Sequence, residues 1–345
     1  MLIRPADTDC VGELPCWRLK VCREPSSYHK QKVRERAIPA QIMKTEVLQR
    51  CGVCHGRVLE VVDEDCNVQR CRNCGYVFDN PRPTLEELIA FYSRPTQYDS
   101  WLSELGTRDR LWKRRLRRLK ATKKAGSLLD VGSGIGQFLS LARSFYSGVY
   151  GTEVSTTAIQ IAKEKYHLDL FAGTLENPAL QGKVFDNITL FHVLEHVPDP
   201  RSVLETCHRL LNARGILVIA VPNEVASLRA VTRRVLTKAK VFKSRRLGMF
   251  GLPRITLDAN SHEVHLSHFT PGVLHRLLEA TGFSVIQSTL DPYYVLAGWP
   301  RLKQDIYYNG CLALSYLFRV NLYDAILVIA RKNSAVSAVE LAAGQ

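Results

Sequence analysis

The stretch LLDVGSGIGQFL, Leu128 to Leu139, decides the fold. An apolar run ends at Asp130 and Val131. Three alternate glycines follow, Gly132, Gly134 and Gly136, and apolar residues resume at Phe138. A buried strand that runs into such glycines and then opens a helix makes a tight turn whose backbone can lie close to a ligand. Glu153 stands 21 residues past Gly132, at the end of the next apolar run, GVYGTEV. An acid in that place can accept hydrogen bonds from both ribose hydroxyls of a nucleoside cofactor. The third glycine of the dinucleotide fingerprint G-x-G-x-x-G would fall at position 137, which is Gln137. The pattern here is D-x-G-x-G-x-G instead.

Outward from this turn, SLLDV, GVYGTEV, LDLFAG, FDNITLFHV and GILVIAVP read as short buried strands. Helical segments separate several of them: Gln137 to Tyr146, Thr156 to Tyr166 and Pro200 to Leu211. Buried strands alternating with helices mean a parallel, doubly wound α/β sheet, Rossmann-like in class. Near the C-terminus, TPGVLHRLLEATG is a helix with Pro271 in its first turn and Gly282 past its end. FSVIQSTL and LYDAILVIARK are two further strands. Upstream, residues 85–124 read as a basic helical connector, with Leu111, Trp112, Leu116 and Leu119 near one face. Residues 1–45 are polar and show no sustained period, so a disordered or non-native extension is expected, with Met43 as the native start. Residues 334–345 read as a flexible tail.

The chain has 345 residues and a formal net charge of +14. The surplus sits in two places. Arg108 to Lys124 holds ten Lys and Arg against Asp109 alone, and Ser227 to His262 holds nine against Asp258 alone. Such patches are solvated helix faces, or they attract phosphates, nucleic acid or the surface of an anionic membrane. There is no run of eighteen apolar residues and no apolar segment ahead of a cleavage site, so a cytoplasmic protein is the expectation. Ten cysteines in such a compartment are not a disulfide framework.

Four cysteines stand out by spacing. Cys51-x2-Cys54 and Cys71-x2-Cys74, sixteen residues apart, predict a closed tetrahedral zinc site built from two knuckle turns within a ribbon over residues 46–84. Gly52 and Gly75 ease the turns; Cys66 and His55 are spare donors at worse spacing. A four-thiolate site leaves no open position, so this zinc is structural.

LLDVGSGIG, VYGTEVS, FDNITLFHVLEHVPDP, GILVIAVPN, HLSHFTPGVLHRLLEATGF and AILVIARK follow one another in the order found in class I S-adenosylmethionine-dependent methyltransferases, which the chain resembles over about residues 85–333. The resemblance implies a seven-stranded sheet with its last strand antiparallel. It also implies roles. Asp130, Gly132, Ser133, Gly134 and Gly136 would hold the cofactor's methionine end and sugar. Glu153 would take the ribose hydroxyls and Val154 would pack on the adenine. Thr174 and Leu175 would border the adenine, with Glu176 as the acid sometimes found there. Phe191 and His192 would floor the site. A ribbon ending in CGYVFDNPRPT ahead of such a core resembles bacterial enzymes of glycan and small-molecule pathways.

Methyl transfer from a sulfonium to a hydroxyl needs in-line alignment and a base with pKa near 7, for which histidine is suited. His192, His196, His262, His265 and His268 are the candidates, His196 first and His265 second. The basic segment 227–262 reads as a lid whose Arg245 and Arg246 would clamp a phosphate-bearing small-molecule substrate, such as a nucleotide sugar or a lipid-linked intermediate. Two other readings are weighed. An RNA methyltransferase would use the ribbon and basic patches, but no aromatic RNA-binding module and no N-P-P-Y-type motif is present, so nucleic acid is not the expected partner. A non-enzymatic ribbon adaptor would not need the intact glycine turn and Glu153. His192, Glu195 and His196 also spell H-x-x-E-H, a zinc-protease spacing. That chemistry needs both histidines on one helix, whereas FDNITLF ahead of them reads as a strand and Pro198 and Pro200 cut any helix short.

Overall fold

In a computed structural model, the structure describes residues 43–122, 126–239, 241, 247–248, 250–255, 257, 263–293 and 296–333. Residues 1–42 of the expected 1–45 extension, the C-terminal tail 334–345, His262, and the Arg245–Arg246 clamp lie outside the described residues, whereas Thr45 pairs with Pro83 in a short strand.

The elements run β1 (Thr45–Glu46), β2 (Leu59–Asp63), β3 (Val68–Cys71), β4 (Val77–Asp79) and β5 (Arg82–Pro83), then α1 (Leu85–Tyr92), α2 (Asp99–Ser103) and α3 (Leu105–Thr122). The sheet-and-helix region follows: β6 (Ser127–Val131), α4 (Gln137–Ala142), β7 (Gly148–Glu153), α5 (Thr156–Tyr166), β8 (Phe171–Ala172), β9 (Phe185–Phe191), α6 (Pro200–Leu210), β10 (Leu211–Pro222) and α7 (Leu228–Lys238). The chain closes with β11 (Ser267–His268), α8 (Pro271–Ala280), β12 (Phe283–Leu290), α9 (Gly298–Phe318) and β13 (Ala325–Lys332).

Seven strands form one sheet in the order β12-β13-β10-β9-β6-β7-β8. β13 lies antiparallel between β10 and β12, while β10, β9, β6, β7 and β8 pair in parallel. Alternation sorts side chains to two cores. Leu217, Ile219 and Val221 face a core shared with Leu204 of α6 and Leu274 of α8. Ile216, Val218 and Ala220 face Trp112, Leu116 and Leu119 of α3 and Phe138 of α4. Both faces of the parallel strands are therefore covered, which is why they read as unbroken apolar runs.

Helix starts follow local chemistry. Ser155, Asp199, Ser227 and Thr270 accept a hydrogen bond from the backbone N–H three residues on, and Pro200 and Pro271 fill first-turn positions whose N–H would be orphaned anyway. Two helical readings are refined. The expected helical connector forms three helices over its described residues 85–122, and Pro95 follows the end of α1. α4 stops at Ala142, short of Tyr146, where the Phe145 N–H turns back to the Ala142 carbonyl at 2.8 Å.

The ribbon strands are not a self-contained sheet. β2, β3 and β4 form an antiparallel meander, and β11, two hundred residues along from it, adds as the fourth strand beside β4. Cys51, Val53, Cys71, Cys74, Tyr76 and Phe78 lie in the same core cluster as Leu194, Phe269 and Leu274. Arg201 of α6 donates to the Val53 carbonyl at 2.7 Å, and Arg276 of α8 donates to the Cys74 carbonyl.

Candidate functional site

β6 has β7 on one side and β9 on the other, so the chain order reverses there. In an open α/β sheet the crevice beyond the C-terminal strand ends at such a point is the natural binding place. A cleft of about 340 Å³ lies there. Of the residues named from sequence, Gly132, Gly134, Glu153, Val154, Thr174, Leu175, Glu176, Phe191, His192 and His196 line it.

The turn is built by backbone necessity. Gly134 has φ +54, and a Cβ on it would sit 2.8 Å from the Trp101 ring. No other residue combines that conformation with that clearance. The Gly134 N–H donates to Glu153 Oε2 at 2.7 Å and the Ser155 N–H donates to Oε1 at 2.9 Å. The carboxylate is thus aimed before any ligand arrives, and each oxygen keeps a second lone pair. Burial pushes the Glu153 carboxyl up, and the two backbone donors oppose that shift.

Asp130, Ser133 and Gly136 lie behind the turn rather than on the cleft wall. Asp130 Oδ1 accepts from the Thr189 hydroxyl at 2.6 Å, tying β6 to β9, and burial lifts its pKa to about 7. Ser133 donates to the Asp130 carbonyl at 2.8 Å. Phe191 packs edge-on to Phe138 at 5.1 Å and beneath the Arg115 guanidinium at 4.5 Å. Arg115 and Asp291 form an ion pair with both side chains only 1% exposed.

Residues that the sequence reading missed close the cleft from above. Tyr92, Tyr98 and Trp101, from α1, α2 and the loop between them, stand over the turn, and the Arg108 guanidinium stacks on Trp101 at 3.7 Å. Burial depresses the Arg108 pKa, and its Nε has no hydrogen-bond partner among the described residues. The aromatic-rich run FYSRPTQYDSW was the available signal.

The histidines divide by environment. His196 Nδ1 lies 2.6 Å from the Val264 carbonyl, which can only accept, so Nδ1 carries the proton and Nε2 keeps a lone pair. Tyr92 OH, 2.9 Å from the same nitrogen, holds the ring from the other side. Burial lowers the His196 pKa, overcoming the opposing pull of Glu195. His265, whose ring centroid is 4.9 Å from that of His196, is the reverse case. Burial would keep it neutral, but the Glu224 carboxylate, 2.9 Å from Nδ1, holds its pKa well above the usual range. His265 does not itself line the cleft; it stands behind His196. Glu224 also takes His268 Nδ1 at 2.7 Å, and His268 Nε2 meets Asp79 of β4 at 2.8 Å.

His192 sits at the end of β9 with φ +58, and residues 193–196 form a turn, not a helix. Its Nδ1 lies 3.1 Å from Glu195 Oε1, and its ring stacks at 3.9 Å on Tyr293. One donor atom each from Glu195, His196 and His265 lie within 4.8 Å of one another. Glu224 already occupies His265 Nδ1 at 2.9 Å, which leaves only Nε2 of that ring toward the other two.

The other donor cluster is cysteine alone. Cys51, Cys54, Cys71 and Cys74 place all four Sγ atoms within 4.8 Å of each other. Cys51–Cys74 and Cys54–Cys71 are 3.5 and 3.6 Å apart. Tetrahedral zinc with bonds of about 2.3 Å requires sulfurs about 3.8 Å apart, so the set fits that ion. A hydrogen bond from Cys51 lowers the Cys74 pKa to about 5, against burial. Cys66 and His55 stay outside the cluster; Cys66 packs with Leu252. Within the basic segment 227–262, Phe250 and Leu252 pack on the ribbon beside Cys66, Val68 and Val77. Phe250 N–H donates to Asp63 at 2.7 Å, and none of the segment's described residues lines the cleft.

Residues 105–288 match the family model described as "Methyltransferase domain". The chain belongs to the methyltransferase-domain family. The chain is a class I S-adenosylmethionine-dependent methyltransferase by family and by its seven-stranded sheet with one antiparallel strand. A ubiquinone biosynthesis O-methyltransferase of Actinobacillus pleuropneumoniae is 30% identical over 28% of this chain and 45% of its own length. One from Coxiella burnetii is 25% identical over 54% of this chain and 76% of its own. For the first of these matches the chain spans about half of the relative's length. A solved S-adenosylmethionine-dependent methyltransferase from Thermotoga maritima, described as a possible histamine N-methyltransferase, aligns at 17% identity and TM-score 0.45 over 71% of this chain and all of its own.

Proposed function

We propose that this methyltransferase-family chain moves a methyl group from S-adenosylmethionine to a hydroxyl of a small molecule with an apolar body. The observation that carries the reading is the open Nε2 lone pair of His196 in the same cleft as the Glu153 turn. When bound, S-adenosylmethionine supplies an electrophilic methyl carbon on sulfur. Glu153 would accept hydrogen bonds from the ribose hydroxyls, and the Arg108 guanidinium, whose Nε has no partner among the described residues, would meet the cofactor's carboxylate. Tyr92, Tyr98 and Trp101 cover the pair and exclude water. His196 Nε2 would take the acceptor's hydroxyl proton as the oxygen displaces the cofactor's sulfur at that methyl carbon. The His265 cation behind it favours the developing oxyanion. The relatives named as O-methyltransferases support oxygen as the attacked atom.

Cys51, Cys54, Cys71 and Cys74 hold a structural zinc in this reading; it takes no part in the transfer. The experiment is calorimetry with S-adenosylmethionine, followed by a methyl-transfer screen of phenols, sugars and nucleotide sugars. Binding of the cofactor and methylation of a hydroxyl on one of these molecules are expected. Absence of cofactor binding would overturn the reading in favour of an adaptor.

A further inference from the structure

Two basic stretches, far apart in sequence, flank one exposed apolar helix. α9 is 21 residues long and buries only Gln304 and Cys311 fully. Along its outer side Trp299, Leu302, Ile306, Tyr316 and Leu317 are 68%, 45%, 66%, 79% and 74% exposed. Their spacing of three, four, ten and one residues keeps them on one face of a helix about 30 Å long. Scattered exposed apolar residues need no explanation, but a stripe of this length does.

α3 lies on one flank. Arg110 donates to the Leu296 carbonyl at 3.4 Å, and Arg118 donates to Tyr308 OH of α9 at 3.3 Å. Lys113, Arg117 and Lys120 of the same helix are exposed. α7 lies on the other flank, where Arg229 donates to Gln304 of α9 at 2.8 Å and stacks on Tyr307 at 3.9 Å. α7 adds the exposed Lys238, and its own Val235 and Leu236 are exposed. No described helix is long and apolar enough to cross a membrane.

We infer that the α9 stripe with its α3 and α7 flanks is a docking surface for an anionic lipid bilayer. Apolar side chains enter the acyl boundary while cations on both sides meet the head groups. The charge distribution selects this occupant over a second copy of the chain. A two-fold contact through α9 would set the cations of α3 and α7 against those of the partner. The segment that joins β12 to α9 carries Tyr293, which lines the cleft, so the docked face adjoins the cleft wall. The inference does not depend on methyl transfer.

The test is co-sedimentation of the full zinc-loaded chain with phosphatidylglycerol–phosphatidylcholine vesicles and with pure phosphatidylcholine vesicles. Binding to the anionic vesicles alone is expected, weakening as salt rises. The Trp299→Glu/Leu317→Glu variant should bind at least about tenfold more weakly, since each change removes a large apolar contact. Lys113→Glu/Arg117→Glu should do the same. Circular dichroism and the thermal unfolding midpoint check that the variants fold. No vesicle binding by the parent chain, or unchanged binding by folded variants, overturns the inference. A concentration-dependent dimer in light scattering that Trp299→Glu/Leu317→Glu abolishes assigns the stripe to self-association and overturns it as well.

Discussion

His196 and His265 are chemically the same side chain with rings 4.9 Å apart, and their surroundings drive them in opposite directions. Burial favours the neutral ring at both, and only His265 has a carboxylate hydrogen-bonded to it to outweigh that cost. Opposed pKa values on neighbouring groups are a physical signature of divided acid and base roles. His196→Asn removes the open lone pair. It should lower kcat by roughly 10²-fold or more while leaving S-adenosylmethionine affinity unchanged in calorimetry. The pH profile separates the pair. The lowered His196 sets an acid limb below about pH 6.5, and the raised His265 sets an alkaline limb above it. Glu224→Gln removes the charge that holds the His265 proton, so the alkaline limb should move to lower pH. An alkaline limb that stays put in kcat measurements would show that His265 is not the titrating group. The sequence named both histidines but could not rank their proton states. The deciding residues, Glu224, Val264 and Tyr92, lie 41, 68 and 104 residues from their partners.

At the level of elements, the short strands β4 and β11 join regions that read as separate in sequence. Ser267 and His268 pair with Phe78 and Val77, and His268 is clamped between Asp79 and Glu224. Burial would favour its neutral ring, yet these hydrogen bonds raise its pKa to about 9. A folded pKa above the unfolded value near 6.5 contributes stability that is fully present below about pH 6.5 and lost as pH rises through about 9. His268 alone should therefore take at most roughly 3–4 kcal/mol from stability over that window, and the raised His265 adds in the same direction. Asp79→Asn should flatten the dependence in urea titrations run at several pH values. A slope equal to that of the parent would remove His268 as its source. The parallel sheet could be read because its strands are apolar on both faces and its caps are local. β11 could not, since two residues carry no period and their partner strand is almost two hundred residues away. α9 escaped for a different reason. Its apolar residues face outward and the buried side is mixed, with Gln304 and Cys311, so its pattern does not mark a core-facing stripe.

Across the whole molecule the same fusion has a thermodynamic consequence. A ribbon with its own core would melt separately from the sheet and would leave cofactor binding intact when its metal is removed. Here Cys51, Cys71 and Cys74 sit in one core cluster with Leu190, Leu204 and Phe269, and Tyr76 and Ser267 are hydrogen-bonded side chain to side chain. That cluster includes residues of β6 and β9, whose ends carry the glycine turn and His192. Without a bound metal the three buried thiols, Cys51, Cys71 and Cys74, would repel or protonate beside Cys54, and the strain would fall on the core they share. Residues 43–333 should therefore unfold in one calorimetric transition. S-adenosylmethionine at about 100 times its Kd should raise that transition by roughly 5–10 °C, equivalent to about 2.7 kcal/mol. Chelation, or Cys74→Ser, should lower the same transition by roughly 10 °C or more and weaken cofactor binding with it. Two resolved transitions, with only the lower one sensitive to chelator and only the upper one sensitive to cofactor, would mean that the shared core does not couple the cysteine cluster to the cleft.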